Sequence, residues 1–91
     1  MADVIITMKI MPESPDVDLD CIKEKADNEI KSFGGEIGKV EKEPIAFGLI
    51  ALKLIFVSDE SKGSTEQLEE NVSKLEGVAS VQITDVRRAL G

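Results

Sequence analysis

The spacing of apolar residues in this chain switches from every second position to every third or fourth and back again, twice, and few folds accept that order. Residues 3–11 alternate, with Val4, Ile6, Met8 and Ile10 on one side and Ile5, Thr7 and Lys9 on the other, the pattern of a half-buried strand. The string MPESPD breaks it. In VDLDCIKEKADNEIKSFGG the residues Leu19, Ile22, Ala26, Ile30 and Phe33 recur at helical spacing. Asp18 is suited to cap that helix, Val17 and Ile22 to staple its first turn, and Gly34 with Gly35 to stop it. EIGKVEKE, residues 36–43, reads as an edge strand whose lysines and glutamates discourage pairing with a further chain, and Pro44 fits its end. Residues 48–57 are the strongest strand, with Ile50, Leu52, Leu54 and Phe56 on one face and Leu49, Ala51, Lys53 and Ile55 on the other. Both faces are apolar enough for a central position.

Ser64-Thr65-Glu66-Gln67 offers a capping box for a second helix, with Leu68, Val72 and Leu75 on its buried stripe and Gly77 as its stop. VASVQITDVRR closes the chain as a strand, Val81 and Ile83 facing one way, Gln82 and Thr84 the other. The spacing therefore predicts strands near 3–11, 36–43, 48–57 and 79–87 and helices near 18–33 and 64–76. With right-handed crossovers that order gives an α+β ferredoxin-like split βαββαβ sandwich: a four-stranded antiparallel sheet, order 4-1-3-2, with two helices on one face. The free face would carry Thr7, Lys9, Ala51, Lys53, Gln82 and Thr84. One end of the domain then holds the MPESPD loop, the PIAFG hairpin and the Gly77 turn. The opposite end holds the Gly34-Gly35 loop, the SDESKGS loop and the C-terminal tail with Arg87 and Arg88.

Ninety-one residues suit a single domain, 1–91, with no internal linker or repeat. The formal net charge of −7 makes direct nucleic-acid binding unfavourable, because a polyanion is held by Lys and Arg that release its counterions. The free face also lacks the aromatic platform on which RNA-binding relatives of this topology stack bases. Without histidine there is no imidazole base or imidazole metal ligand, and one cysteine, Cys21, makes neither an internal disulfide nor a CxxC pair. No phosphate loop surrounds the glycines of FGGEIG. These readings give no enzyme, no cofactor and no metal site. No apolar run reaches the roughly 20 residues that span a bilayer, and MADVIITMKIMPES reads as a strand rather than a signal peptide, so a cytoplasmic, membrane-free protein is expected.

The hairpin EKEPIAFGLIALKLIFV sets the main question. Phe47, between Pro44 and Gly48, closes the hairpin end of the core or stands out as a contact residue. It falls out of phase with Ile50, Leu52, Leu54 and Phe56, which already supply the buried face, but on the residues alone both readings stand. Two functional classes suit a small domain of this kind: a protein-binding factor and a stand-alone ferredoxin-like small-molecule regulatory domain.

The strings MKIMPESPDVDL, EPIAFGLIALKL, KLEGVASV and QITDVRR, in order across the chain, resemble the beta subunit of translation elongation factor 1 in its short archaeal form. They are also similar to the C-terminal exchange domain of the longer eukaryotic subunit. The resemblance implies a guanine nucleotide exchange factor for the elongation factor 1-alpha GTPase; the chain is expected to be a monomer when free. It implies partner contacts at Pro44, Ile45, Ala46, Phe47 and Gly48, on the second domain of the GTPase. It places Asp85, Arg87 and Arg88 toward the nucleotide and Mg²⁺ region. Eukaryotic members end with a lysine near the last residue; this chain ends TDVRRALG, its last lysine is Lys74, and no residue matches that lysine.

Overall fold

A computed structural model describes residues 3–62 and 65–88. Ser64, expected to open the capping box, and the tail beyond Arg88 lie outside the described residues. The elements run β1 (Asp3–Pro12), α1 (Leu19–Phe33), β2 (Glu36–Pro44), β3 (Ile50–Asp59), a 3-10 turn (Glu60–Lys62), α2 (Glu66–Ser73) and β4 (Val78–Arg88). The sheet order is β2-β3-β1-β4 with every pairing antiparallel, the split βαββαβ arrangement that the spacing implied.

One apolar cluster joins the sheet to both helices and so places the helices on the same face. Ile6, Met8 and Ile10 of β1 and Leu52, Leu54 and Phe56 of β3 meet Ile22, Ala26 and Ile30 of α1 and Leu68 and Val72 of α2. Phe33 packs half-buried at its margin. In β2 both Ile37 and Val40 reach this core although an unbroken strand would send them to opposite faces. The register slips between Ile37 and Lys39, and the extra residue, Gly38, restores both to the inner side.

The first helix ends as the sequence implied. Asp18 accepts from the backbone N–H groups of Asp20 (3.0 Å) and Cys21 (3.4 Å), and Gly34, at φ 101°, takes the left-handed conformation that closes the last turn. The second helix is shorter than the 64–76 expected. Thr65 stands at its N-cap without a side-chain capping bond; its hydroxyl instead donates to the Glu69 carboxylate at 3.0 Å. Gly77 does not stop this helix, which ends at Ser73. It shapes the turn into β4 at φ 89°, and its carbonyl accepts from the Glu13 N–H at 2.8 Å.

Two assignments on β3 also change. Ile50, expected in the core, is 38% exposed, because it pairs with Pro44 at the very end of the hairpin, past the buried cluster. Ala51, on the free face opposite Glu43, is fully buried, since its methyl group is overtopped by longer neighbours. That face is otherwise as expected: Lys9 lies opposite both Lys53 and Gln82, and Lys53 is relieved of the like charge by Glu43 at 3.2 Å. Among the described residues no helix is long and apolar enough to cross a membrane.

Candidate functional site

The hairpin between β2 and β3 turns on four residues. The Leu49 N–H donates to the Ala46 carbonyl at 2.9 Å, and the Ile45 N–H to the Leu49 carbonyl at 2.9 Å. The two central residues, Phe47 and Gly48, have φ of 54° and 79°. Positive φ at both positions is what a type I′ turn requires, and glycine, asparagine and aspartate satisfy it most readily. Phenylalanine does not: its Cβ crowds the following carbonyl, at roughly 1–2 kcal/mol. Phe47 is the one non-glycine residue with positive φ among the described residues, and it is 96% exposed. The domain thus holds a large apolar side chain in water on a strained backbone, two costs that no contact among the described residues offsets.

Pro44, Ala46 and Gly48 are exposed around it, and Ile45 and Ile50 are the nearest other exposed apolar residues on the hairpin. Gly48 backs onto the β1–α1 loop; a Cβ built there would stand 3.7 Å from the Pro15 ring. The gap between that loop and the hairpin measures about 30 Å³, room for about one or two waters. The loop is itself anchored, by the Glu13–Gly77 backbone bond and by Val17 lying against Gly77. The turn is therefore braced from behind. Sequence spacing put this loop and the hairpin at the same end but missed Pro15 and Ile50 as part of the exposed apolar surface. Pro15 has no local signal, because only tertiary packing sets it beside Gly48.

The arginines lie at the other end. They were expected to follow the last strand, but β4 continues through both, pairing Arg87 with Ile5 and Arg88 with Val4. Adjacent strand residues point to opposite faces, so the two guanidiniums separate. Which face each takes is decided by a bulge. The register slips between Thr7 and Met8, leaving Thr84 as the extra residue, its hydroxyl 3.5 Å from the Thr7 carbonyl. Beyond it Asp85 and Arg87 turn to the free face, while Val86 and Arg88 turn to the helix side.

Each arginine already has a carboxylate. Arg87 Nε donates to Asp85 Oδ2 at 2.8 Å, and Arg88 donates through Nη2 and Nε to Glu60 Oε2 at 2.7 and 3.0 Å. Asp85 thus pairs with Arg87 on the free face. Glu60 was not foreseen; its only sequence sign is a place in the acidic stretch after β3. The pairs leave both arginines with unused N–H donors, since a guanidinium carries five. Pro44 pairs with Ile50 at one end of the sheet and Val4 with Arg88 at the other, so hairpin and arginines lie at opposite ends of the sheet.

A small ferredoxin-like domain that holds the most exposed apolar group among its described residues out on a strained, braced turn has the form of a protein-docking module. Comparison with known proteins makes this specific. Residues 5–89 match the EF-1 guanine nucleotide exchange domain. The chain is 48% identical over 90 residues to elongation factor 1-beta of Methanothermobacter thermautotrophicus, covering 99% of this chain and 100% of that protein. It is 52% identical over 90 residues, with the same coverage, to elongation factor 1-beta of Methanobrevibacter smithii. The chain belongs to the EF-1 guanine nucleotide exchange domain family. Among solved structures, the C-terminal domain of the MgtC protein from Mycobacterium tuberculosis superposes with a TM-score of 0.64 at 13% identity, covering 97% of this chain and 88% of that one. The de novo designed protein Foldit4 superposes with a TM-score of 0.61 at 17% identity, covering 98% of each. At such identities these two show the fold alone. The small-molecule regulatory reading is not favoured by any of these matches.

Proposed function

We propose that this protein is a cytoplasmic guanine nucleotide exchange factor for elongation factor 1-alpha, that it breaks no covalent bond, and that it grips the GTPase at two points. The observation that carries the two-point reading is Phe47, 96% exposed at a φ of 54°. Its ring enters an apolar pocket on the second domain of the GTPase, with Ile45, Ile50 and Pro15 around it and Pro44, Ala46 and Gly48 shaping the approach. Burying an aromatic of this size in a partner contributes about 2 kcal/mol or more, the range of hot-spot residues. The braced turn presents the ring already in place, so little ordering entropy is lost on binding.

Arg87, Arg88 and Asp85 face the nucleotide and Mg²⁺ region. The body of the domain is acidic, net −7, so local positive charge near phosphates must come from such groups. Exchange then follows from linkage. A factor that binds the nucleotide-free GTPase more tightly than the GDP form must weaken GDP by the same factor. One copy of the domain suffices, because both contact ends belong to one chain.

The test is release of a fluorescent GDP analogue from the cognate GTPase, with and without this protein. Phe47→Ala should raise the concentration needed for half-maximal release about 30-fold, the equivalent of 2 kcal/mol. Release indifferent to the protein would refute the exchange reading. Release that is accelerated equally by both forms would refute the role of Phe47.

A further inference from the structure

We propose that Glu60 is a positioning residue for exchange: it holds Arg88, and with it the end of β4, in the orientation offered to the GTPase. This rests on the function proposed above.

The contact is a tether across the sheet. Val4 of β1 lies between Arg88 of β4 and Ser58 of β3 in register, and Glu60 comes two residues after Ser58. The Arg88 side chain therefore passes over β1 on the helix side to reach Glu60, tying the edge strand β4 to the turn that follows β3. Both bonds, from Nη2 at 2.7 Å and Nε at 3.0 Å, end on the same oxygen, Oε2. They occupy one edge of the guanidinium and leave the Nη1 donors without a partner among the described residues. Glu60 is in turn seated by its own turn, in which the Ser61 N–H donates to Asp59 Oδ1 at 2.9 Å.

Among the described residues little else holds this strand end on that face. Val86, the preceding residue on the helix side, is 57% exposed, so it buries too little apolar surface to pin the strand. Apart from the tether, the last turn of β4 relies on its backbone pairing with β1. Edge strands held in that way open locally at low cost. A factor whose competent form is populated only part of the time binds with its apparent affinity reduced by that fraction. Glu60 keeps the fraction high.

Glu60→Gln keeps the shape and removes the charge. Nucleotide release from the cognate GTPase should need about two- to five-fold more of this variant for half-maximal effect, the scale of a surface ion pair. The rate at saturation should be unchanged, and amide hydrogen exchange at Val86, Arg87 and Arg88 should be faster. Placed in an Arg88→Ala protein, Glu60→Gln should have no further effect, because it acts only through Arg88. An equal effect in that background would overturn the proposal, as would a variant identical to the unmodified protein. Faster exchange by Glu60→Gln would also overturn it, since Glu60 would then be competing for Arg88 rather than placing it. An unmodified protein that fails to accelerate release sinks the exchange reading itself; an active one with an indifferent variant sinks the tether alone.

Discussion

Replacing Phe47 by asparagine should make the domain more stable and a poorer partner at once. The side chain is 96% exposed, so its removal uncovers no cavity and breaks no core contact. The backbone at φ 54° penalises phenylalanine by roughly 1–2 kcal/mol, and asparagine enters the left-handed region far more readily. Recovering half of that penalty stabilises the fold by about 0.5–1 kcal/mol. For a domain of this size such a gain raises Tm by roughly 2–8 °C. Phe47→Ala removes the same ring but retains most of the backbone penalty, so the difference between the two variants isolates the strain. Binding moves the other way. Loss of a buried aromatic anchor costs about 2 kcal/mol or more, which is at least about 30-fold in Kd. Thermal unfolding followed by circular dichroism, and calorimetric titration of the nucleotide-free GTPase, read the two effects separately. A fall in Tm by about 10 °C or more would mean that the ring is packed, since burial of Phe is worth roughly 3–5 kcal/mol against alanine. That result would refute both the strain argument and the docking role.

Two further outcomes are expected. Changing Arg87 and Arg88 together to alanine should slow GDP release from the GTPase in stopped-flow measurements. It should move Tm by no more than about 16 °C, because two surface ion pairs are worth about 0–1 kcal/mol each; an unchanged release rate in the folded variant would remove the arginines from the site. Gly77→Ala should cost about 2 kcal/mol or more, because its Cβ would stand 2.8 Å from Val17 Cγ1 at a φ of 89°; urea unfolding with an unchanged midpoint would show that the Gly77 turn relaxes freely.

Much of this molecule was legible in its sequence because local physics governs those parts. The switch between two-residue and helical spacing gave the element order, and the order gave the sheet. The stripe of Ile22, Ala26 and Ile30 marked the buried side of α1, and Asp18 and Gly34 marked its ends through bonds made within a few residues. The phase of Phe47 against Leu52, Leu54 and Phe56, with Pro44 and Gly48 beside it and the resemblance of the hairpin string, set it apart from the core.

Other features depend on residues far apart in the chain, and only the tertiary structure decided them. Register between strands is one. The bulges at Gly38 and Thr84 arise where a strand must stay in step with its neighbour, and each reverses the faces of everything beyond it. An unbroken β4 would have put Arg87 on the helix side and Arg88 on the free face; the bulge exchanges them. Contact between loops is the other. Pro15 supports Gly48, and Glu60 meets Arg88, across 33 and 28 positions of sequence that carry no local sign of the encounter. The sequence by itself determined which elements form and which apolar residues they bury, since spacing and caps act over one or two turns. The tertiary structure decided where the charged and exposed groups of each end point, since that is set by the register of the strands and the packing of the loops.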